Sequence, residues 1–580
     1  MTNNYYAGIL DLALMELMHK ERLSQEASME ELCKILLVKL CYERKNQKLM
    51  TASDLTSINP VVTINSLYDR LFQSYVPSFL FAGWEKIDVR LDTFCEVVVM
   101  MQTVNFAEDD YLEKGKDFTA FLQRYYGWYV NDYSTPAILT DFIYKVIDVK
   151  SFVSIFDPCC GIGGMLATAY SHKGEHLHLC GNDISQAMVN ITRLHLKFYG
   201  YEGDNFTCKD YTDKRANTYQ IRYDCIVAQL PTRRQSFSLA GRRDSGYGED
   251  YYDSDMSFVA NILHQLNEGG VAAIVVSENI VNDYKKRDVR DFLMYHAEIL
   301  NITKFEDVVT KSNYHKKSYY ILFIRKASSS LYGRSSATLL KGGCSEKDID
   351  EVASWIKSYI NNPSTAVDNN LCKRYEHYGA SNWNVSLLFI RDKIGTEYEA
   401  VSLDEILIKR REKEIINPER EYQVLRVRRR GMGVDVKRVE QGRSILDNMY
   451  MVKSNDLVVS AFEADMGGIG YVDKELEGAL VSKDLYLFEV DKSRVDLNYL
   501  MMVLSSEPVQ EQLQAMNPRS HMLSRISMSN FLSVVIPLPD LQTQKTMAKG
   551  LQRYVDKVNK AEEELEWAKK DFNKKLFGRE

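Results

Sequence analysis

The sequence SFVSIFDPCCGIGGMLATAYSH (151–172) joins a strand-like run to a helix-like run through a glycine-rich turn. SFVSIF is apolar and rich in residues that favour strands, and GMLATAYSH follows the turn with a helical pattern. Glycines in such a turn let the backbone approach a ligand, and the start of the helix offers free N–H groups. The stretch therefore predicts a strand–turn–helix unit with a ligand at its turn.

The same alternation continues after this turn. HLHLCGNDI predicts the next strand, SQAMVNITRLHLKFYG the next helix, and four more short apolar runs follow: NFTCKD, YDCIVAQL, VAAIVVSEN and SYYILFIRK. Alternating strands and helices are typical of a parallel, doubly wound sheet. The predicted fold class is α/β, with a helical N-terminal domain, a Rossmann-like domain and an α+β domain that ends in a long helix.

Changes in pattern divide the 580 residues into five segments. The first has apolar residues at helical spacing, and it is either a docking or DNA-embracing module or a helical cap on the sheet. The last has a coiled-coil-like seam at Leu551, Val555, Val558, Ala561, Leu565, Ala568, Phe572 and Leu576. The predicted segments are a helical domain (1–112), an α/β domain (113–335), a linker region (336–382), a strand-dominated domain (383–543) and a terminal dimerisation or spacer helix (544–580).

Composition excludes several classes of protein. The chain is 45% hydrophobic and 26% charged, as globular domains are, and no apolar run is long enough to predict a membrane helix. Its start, MTNNYYAGILDLALMELMHKER, lacks the basic region and cleavage site of a secretory signal. The ten cysteines form no Cys-x-x-Cys pair, so we expect no metal site, reduced thiols and a cytoplasmic location.

The net charge of −7 does not indicate a nucleic-acid-binding protein, but one segment is basic. Residues 406–445 hold twelve Lys or Arg against six Asp or Glu, and they include KRREK (409–413) and RVRRR (426–430). Such a local field attracts phosphates. Basic residues also protect exposed strand edges, and on charge alone this second interpretation is favoured.

Acidic residues follow the glycine turn at the ends of the next two strands. Asp183 ends GNDIS about twenty residues after the turn, where a carboxylate suits a ribose diol, and Asp210 ends CKDYT. The motif Asp-Pro-x-Cys-Gly-x-Gly-Gly and the turn YSTP (133–136) resemble the cofactor motifs of N6-adenine DNA methyltransferases, above all the modification subunits of type I restriction systems.

This resemblance implies S-adenosylmethionine as the cofactor and no metal. The residues that it implies for the cofactor site are Tyr133, Thr135, Pro136, Asp157, Pro158, Gly161, Gly163, Asp183 and Asp210. Two alternatives remain open, namely a nucleotide-like fold with an empty pocket and a purely structural turn role for Asp210. Cys159 and Cys160 are interpreted as small packing residues rather than nucleophiles.

The family carries Asp-x-Ile-x-x-Asn-Pro-Pro-Phe after the fourth strand, and this frame falls on DCIVAQLPT (224–232). The catalytic positions are therefore Gln229 and Pro231, with Leu230 for the first Pro and Thr232 for the aromatic. The family's Asn accepts the hydrogens of the adenine amine and holds it in line with the methyl group, and this help fails when the geometry drifts by about 1 Å.

Each change weakens that arrangement. Gln229 adds a methylene, Leu230 frees a φ angle that Pro would lock, and Thr232 cannot stack on a flipped adenine. Together the changes predict a domain that is inactive alone. The alternative is a competent variant loop that borrows an aromatic side chain from GYGEDYYD (246–253).

The C-terminal series resembles one target-recognition half of a type I specificity subunit. Its most specific signature is Ile-Pro-Leu-Pro-x-Leu-x-x-Gln (536–544), which runs into the terminal helix. In that family such a half reads one half-site through the major groove. The resemblance makes the following residues candidates for DNA contact, each being alternatively a solvent-facing charge: Arg426, Arg428, Arg429, Arg430, Lys437 and Arg438.

The leading hypothesis is a sequence-specific DNA-binding protein of a restriction–modification or phage-defence system, with an S-adenosylmethionine pocket and a degenerate catalytic loop. Its expected partners are double-stranded DNA and, through the terminal helix, a second copy or another methyltransferase, specificity or nuclease subunit; no membrane is involved. The rival hypotheses are a competent fused DNA adenine methyltransferase and a non-enzymatic adaptor that recruits an effector. Methylation of RNA or protein is disfavoured by the recognition half.

Overall fold

The chain divides into two units, residues 1–383 and 384–580, and each has its own hydrophobic cores. The structure is a computed structural model. It describes residues 5–51, 54–55, 63–129, 134–148, 152–174, 176–212, 221–231, 254–282, 286–309, 316–326, 335–362, 364, 366–375, 383, 385–391, 398–410, 415–429, 431, 433–445, 449–516 and 525–578.

The first unit contains a nine-stranded sheet. Its strands are β1 (Ser154–Asp157), β2 (His178–Asp183), β3 (Phe206–Cys208), β4 (Tyr223–Gln229), β5 (Leu266–Val276), β6 (Ala297–Val309), β7 (Lys316–Lys326), β8 (Ser335–Lys341) and β9 (Cys372–Tyr375). They lie in the order β3-β2-β1-β4-β5-β7-β6-β8-β9, and the first five are parallel. The order reverses between β1 and β4, so the carboxyl ends of these two strands flank the crevice where such sheets bind ligands.

Twelve α-helices of this unit lie within the described residues. They are α1 (Tyr5–Glu21), α2 (Gln25–Asn46), α3 (Ile64–Tyr75), α4 (Leu91–Met100), α5 (Tyr111–Tyr129), α6 (Ala137–Val146), α7 (Gly164–Lys173), α8 (Gln186–Phe198), α9 (Ser254–Gln265), α10 (Glu278–Asn282), α11 (Arg287–His296) and α12 (Glu346–Asn361). The α/β fold class and the glycine-turn unit β1–α7 were predicted, and the structure confirms both.

The prediction of a parallel sheet is confirmed for the first five strands in the order and for the β6–β8 pair, and it is wrong for the pairs that β7 and β9 make. Strand β7 runs antiparallel between β5 and β6. Only six residues separate β6 from β7, and a parallel return needs a crossover of roughly a dozen residues or more. The short connection therefore forces an antiparallel pair.

The predicted linker region, residues 336–382, instead supplies two strands and a helix. Strand β8 pairs with β6 and with β9, and α12 begins with a capping box between Ser345 and Asp348. Apolar side chains of α12, including Val352 and Ile356, complete the core of the sheet. The described residues of this segment are therefore part of the α/β domain rather than a linker.

The helical N-terminus forms a cap on the sheet. Its core is continuous with α8 through Ile191 and Leu194, and with the glycine turn after β1 through Ile162. Phe118 and Phe121 of α5 belong to the same core, so the helical region runs past the predicted boundary at residue 112 to the end of α5.

The second unit is rich in short strands. These are β10 (Ala400–Ser402), β11 (Leu407–Arg410), β12 (Glu421–Val427), β13 (Val434–Gln441), β14 (Met449–Met451), β15 (Leu457–Ser460), β16 (Ile469–Tyr471), β17 (Leu480–Ser482), β18 (Leu485–Val490) and β19 (Val535–Pro537). Its helices are α13 (Val385–Arg391), α14 (Leu497–Leu504), α15 (Glu507–Met516), α16 (Met528–Leu532) and α17 (Leu541–Phe577). The predicted α+β domain with a long terminal helix is confirmed.

Candidate functional site

A small pocket lies at the carboxyl ends of β1 and β4. It stands at the switch point of the sheet, where the topology predicts a ligand. Its lining residues are Ser134, Thr135, Asp157, Cys159, Cys160, Gly164, Met165 and Gln229. The structure thus brings three predicted site residues, Thr135, Asp157 and Gln229, to one cavity.

The glycine turn after β1 needs residues without side chains. Gly161 and Gly163 have φ angles of +53° and +78°. A Cβ on Gly163 would lie 2.9 Å from the Thr192 methyl carbon of α8, so α8 packs directly on the turn. The turn therefore has one conformation that fits, and that conformation begins α7 beside the pocket.

Asp157 is the last residue of β1, and only 2% of it is exposed. The backbone N–H of Cys159 donates to its Oδ1 at 3.1 Å. Burial raises the pKa of this carboxyl to about 8, because water is withdrawn from the charged form. A buried carboxyl with so high a pKa in a crevice is typical of a functional group that a ligand completes.

Asp183 ends β2 and is already engaged by the turn. Its Oδ2 accepts the N–H of Gly161 at 2.9 Å, and its Oδ1 accepts the N–H of Ser185 at 2.9 Å. Burial raises its pKa. Each oxygen retains a lone pair for a sugar hydroxyl. The next residue, Ile184, is 48% exposed and offers an apolar surface beside the carboxylate, a feature that the sequence analysis missed.

The remaining predicted cofactor residues lie around this crevice or apart from it. Pro158 follows Asp157, and its carbonyl accepts the Asn182 amide at 3.1 Å. Pro136 precedes α6 and does not line the pocket. Asp210 is exposed, and its Oδ1 accepts the N–H and hydroxyl of Thr212, which is a turn geometry. Tyr133 lies outside the described residues.

The two cysteines of the motif have different surroundings. Cys160 is buried, and Cys159 faces the pocket and donates its thiol to the carbonyl of Gln229 at 3.0 Å. Burial raises the pKa of both thiols, which disfavours the thiolate needed by a nucleophile. The thiol of Cys159 instead ties the end of β1 to the end of β4.

Strand β4 ends at Gln229, the position that the resemblance aligns with the family's catalytic Asn. Gln229 is 9% exposed and is paired in register with Val275 of β5. The N–H of Leu230 donates to the Val275 carbonyl at 2.9 Å, a bond that Pro at this position could not make. Pro231 is exposed, whereas Thr232 and residues 246–253 lie outside the described residues.

The candidate DNA-contacting residues of the second unit cluster on the β12–β13 hairpin. Asp435 accepts from Arg426 Nε at 2.8 Å and from Arg428 Nε at 2.7 Å. Arg429 pairs with Glu463 across the unit, and Arg438 pairs with Glu440. Lys437 is exposed, and Arg430 lies outside the described residues. The four arginine side chains are 42–60% exposed, so these ion pairs are weak and exchangeable.

The structure explains the Gln of the closing signature. Gln544 is fully buried, and its Nε2 donates to the carbonyls of Arg494 and Pro539 at 2.8 and 2.7 Å. Its Oε1 accepts the N–H of Asp496 at 2.8 Å. Gln544 thereby fixes the start of α17 to the loop before α14.

Comparisons with known proteins agree with this architecture. Residues 120–339 match the family model for N-6 DNA methylase, and residues 396–566 match that for the type I restriction modification DNA specificity domain. The type I restriction enzyme MjaIX methylase subunit of Methanocaldococcus jannaschii is 34% identical over 103 residues, covering 17% of this chain and 18% of that protein. The type II methyltransferase M.VspI of a Vibrio strain is 26% identical over 166 residues, covering 27% of this chain and 39% of that protein.

A solved structure is similar to this chain over a longer segment than the two curated relatives. The methyltransferase subunit of a type I restriction–modification system from Streptococcus thermophilus superposes with a TM-score of 0.50 at 13% identity. The match covers 66% of this chain and 99% of that chain, and it shows a shared fold.

The fold and the two family matches define a protein that couples a methylase domain to a DNA-specificity domain. The chain carries an N-6 DNA methylase domain followed by a type I restriction modification DNA specificity domain, which confirms the predicted modification–specificity fusion. The aligned segments span 18% and 39% of the two curated relatives. None of the helices within the described ranges is long and apolar enough to cross a membrane. Among these same residues, no group of three or more His, Cys, Asp or Glu is placed to hold a metal ion.

Proposed function

We propose that this chain binds S-adenosylmethionine in the pocket of its methylase domain and reads a DNA sequence through its specificity domain, as part of a restriction–modification or phage-defence system. The proposed methyl-transfer site is degenerate, and the chain alone is inactive in methylation. The observation that carries this proposal is the contrast between a fully formed glycine cradle after β1 and the end of β4, where Gln229 stands for the family's Asn and the Leu230 N–H, which the family's Pro lacks, is bonded to the Val275 carbonyl.

The residues around the pocket fit S-adenosylmethionine. The buried Asp157 carboxyl suits a cationic group, Asp183 retains acceptors for ribose hydroxyls, and the exposed face of Ile184 suits a base ring. When bound, this cofactor supplies an electrophilic methyl group. Titration calorimetry with S-adenosylmethionine is expected to show one site per chain, and the absence of any heat of binding would contradict this part of the proposal.

The degenerate catalytic loop (residues 229–232), here called the clamp, is tested by transfer of a tritiated methyl group to mixed-sequence duplex DNA. We expect no transfer by the isolated chain, because Gln229 reaches further than Asn and Leu230 is bound into the β4–β5 ladder. Vigorous transfer that Gln229→Ala abolishes would show that the variant loop is competent. The same assay with co-purified partners tests whether an intact methyltransferase subunit supplies the activity.

The β12–β13 hairpin is the proposed DNA-contacting surface. Its arginines trade weak ion pairs for phosphate or base contacts when DNA binds, because exposed pairs contribute only about 0–1 kcal/mol each. The double variant Arg426→Ala/Arg428→Ala is expected to weaken duplex binding at least about tenfold in fluorescence anisotropy. Arg374→Ala is the matched control, because Arg374 is a similarly exposed arginine, paired with Asp368 of the first unit.

Failure to bind duplex DNA at low salt, alone or with co-purified partners, would contradict DNA recognition altogether. If the methylase domain binds cofactor and the hairpin binds DNA while no transfer occurs in any complex, the non-enzymatic adaptor becomes the better description. The bond from the Leu230 N–H to the Val275 carbonyl supports that second function, because the family's Pro at this position has no N–H to make it.

The terminal helix is proposed to pair with a second copy of this chain. Leu565, Phe572 and Leu576 are 55–60% exposed and are spaced seven and four residues apart, which places them on one face. Light scattering is expected to give a dimer that Phe572→Ser/Leu576→Ser dissociates. A wild-type monomer at micromolar concentration would overturn self-pairing, and recovery of a second specificity or nuclease subunit on the helix would identify the other partner.

A further inference from the structure

A buried histidine joins the helical N-terminus to the cofactor turn. His195 of α8 is fully buried, and its Nδ1 lies 2.8 Å from the carbonyl oxygen of Ile162 in the turn. Its Nε2 lies 2.7 Å from the hydroxyl of Thr119 on α5. The Thr119 hydroxyl is in turn 2.9 Å from the hydroxyl of Tyr199. Neither Thr119 nor His195 lines the pocket.

The direction of these hydrogen bonds follows from the state of the ring. Burial lowers the pKa of His195 to about 4, so the ring is neutral and carries one proton. The Ile162 carbonyl can only accept, so Nδ1 carries that proton and Nε2 accepts from Thr119. The Gly115 carbonyl, 2.8 Å from the Thr119 hydroxyl, competes for the same donor, whereas the Tyr199 hydroxyl supplies a donor to Thr119.

The two helices meet closely around this chain of hydrogen bonds. A Cβ on Gly115 of α5 would lie 2.6 Å from the ring of Tyr199, the residue that follows α8, so this ring packs directly on the backbone of α5. Phe118 packs edge-on against the His195 ring at 5.7 Å. Thr192, one turn before His195, donates to the Gly161 carbonyl at 2.7 Å. Helix α8 therefore holds two successive carbonyls of the turn, and α5 holds α8.

We propose that His195 is a positioning residue through which α5 fixes the cofactor turn, so that packing of the helical N-terminus and cofactor binding are linked. Such linkage is reciprocal. A change that loosens the packing of α5 lowers the affinity for the cofactor, and bound cofactor slows the local unfolding of α5. The cofactor part of this inference rests on the proposed function, whereas the bracing of the turn by α5 does not. Partners or DNA that move the helical N-terminus would thereby change the occupancy of the pocket.

The test uses the full chain and a variant remote from the pocket. Thr119→Val keeps the shape of the side chain and removes the hydroxyl. We expect amide exchange of residues 160–163, measured without ligand, to become about threefold to tenfold faster, and the affinity for S-adenosylmethionine to fall by a similar factor. Thr338→Val is the matched control, because Thr338 is a buried threonine of β8 that hydrogen-bonds Thr303. It should leave both quantities unchanged.

Two substitutions of His195 separate its two contacts. His195→Asn places an amide donor near the position of Nδ1, and it should preserve slow exchange of the turn better than His195→Leu, which removes both contacts. If the two variants exchange equally fast, the role of His195 is general packing and the proposal is overturned. The proposal is also overturned if Thr119→Val behaves like Thr338→Val in exchange.

The two readouts distinguish this inference from the proposed function. A wild-type chain that binds no S-adenosylmethionine contradicts the proposed cofactor, while the exchange result still decides whether α5 braces the turn. Faster exchange in Thr119→Val with unchanged cofactor affinity overturns the linkage to the pocket.

Discussion

Two strand ends meet at the switch point of the sheet, and they are held in different ways. After β1, four backbone groups between Cys160 and Ile162 are each bonded to β2 or α8 at 2.7–2.9 Å, so the chain turns sharply and leaves a cradle. At the end of β4, which is Gln229, one further backbone bond joins the chain to β5, from the Leu230 N–H to the Val275 carbonyl.

The difference separates cofactor binding from methyl transfer. A glycine cradle is built from backbone groups and tolerates few side chains, so its retention is visible in the positive φ angles of Gly161 and Gly163. The family's catalytic loop, in contrast, depends on one side-chain amide that holds the adenine amine, and on the placement of this amide to within about 1 Å. The first can persist while the second is lost, and such a domain would serve assembly or DNA embrace.

The largest effect is expected from rebuilding the clamp. The triple variant Gln229→Asn/Leu230→Pro/Thr232→Phe restores the family's loop and ends the strand one residue earlier. If the loop alone is missing, tritiated methyl transfer to mixed-sequence duplex DNA should rise by two orders of magnitude or more.

The single variant Gln229→Asn is the control for the triple variant, because it changes the amide without ending the strand. It should stay near the background of the wild type. A triple variant that binds cofactor and DNA but transfers no methyl group would place the defect outside the loop and favour the adaptor.

The variant Gly163→Ala tests whether the glycine cradle after β1 binds the cofactor. An alanine at position 163 must adopt a φ of +78°, and its methyl group would lie 2.9 Å from the Thr192 methyl carbon. Backbone strain and overpacking together should therefore destabilise the turn by about 2 kcal/mol or more. Calorimetry should show affinity for S-adenosylmethionine reduced roughly 30-fold or more.

Gly174→Ala supplies the control for backbone strain alone. Gly174 has nearly the same φ, +77°, but its ψ is −148° rather than +16°, so the backbone strain of an alanine there is at least as large, while its Cβ meets nothing within 4 Å. It should lower the melting temperature without changing cofactor affinity. Equal affinities of the two variants would mean that the turn is not the cofactor cradle.

The sequence predicted the parts of this site that follow from backbone requirements. Glycines at 161 and 163 and an acidic residue at the end of β2 can be recognised because only a few residue types fit those positions. The change from Asn to Gln229 was visible for the same reason. The outcome at Leu230 was not, because the loss of a Pro shows a freed φ angle but not the ladder bond that replaces it.

What the sequence did not reveal depends on contacts between distant segments. His195 lies in an ordinary amphipathic helix, and nothing in its spacing marks a bond to Ile162 or to Thr119, 76 residues away. Asp210 accepts the N–H of Thr212 in a local turn, which is one of the two roles that the sequence left open for it. Strand β6 was not among the predicted strands, so the short connection that makes β7 antiparallel could not be recognised from the sequence.

A smaller effect is expected from Asp157→Asn, and its sign depends on pH. The carboxyl ionises near 3.8 in the unfolded chain but only near pH 8 in the folded one, so the folded state binds more protons between these values. The unfolding free energy of the wild type therefore falls as the pH rises from about 4 to about 8. Asn cannot ionise, so the variant should melt higher than the wild type at pH 8 and at a similar temperature at pH 4.

Cofactor affinity should change in the opposite sense. If Asp157 pairs with a cationic group of S-adenosylmethionine, wild-type affinity should rise with pH up to about 8 and then level off. Asp157→Asn should bind about tenfold more weakly at pH 8, with little dependence on pH. A variant that is stabilised at pH 8 and binds as tightly as the wild type would show that the buried carboxyl is not part of the cofactor site.

The smallest effect is expected from Leu230→Pro, which changes only the end of β4. Leu230→Pro removes the N–H that donates to Val275 and fixes φ at this position, so it should cost about 1 kcal/mol of stability in thermal unfolding. Cofactor affinity should be unchanged, because Leu230 is absent from the lining of the pocket. Leu230→Val, which keeps the N–H, serves as the control for the changed side chain. A different result, in which Leu230→Pro is neutral or stabilising while Leu230→Val is not, would mean that the end of β4 can already turn as in the family. The proposed loss of the catalytic loop would then rest on Gln229 alone.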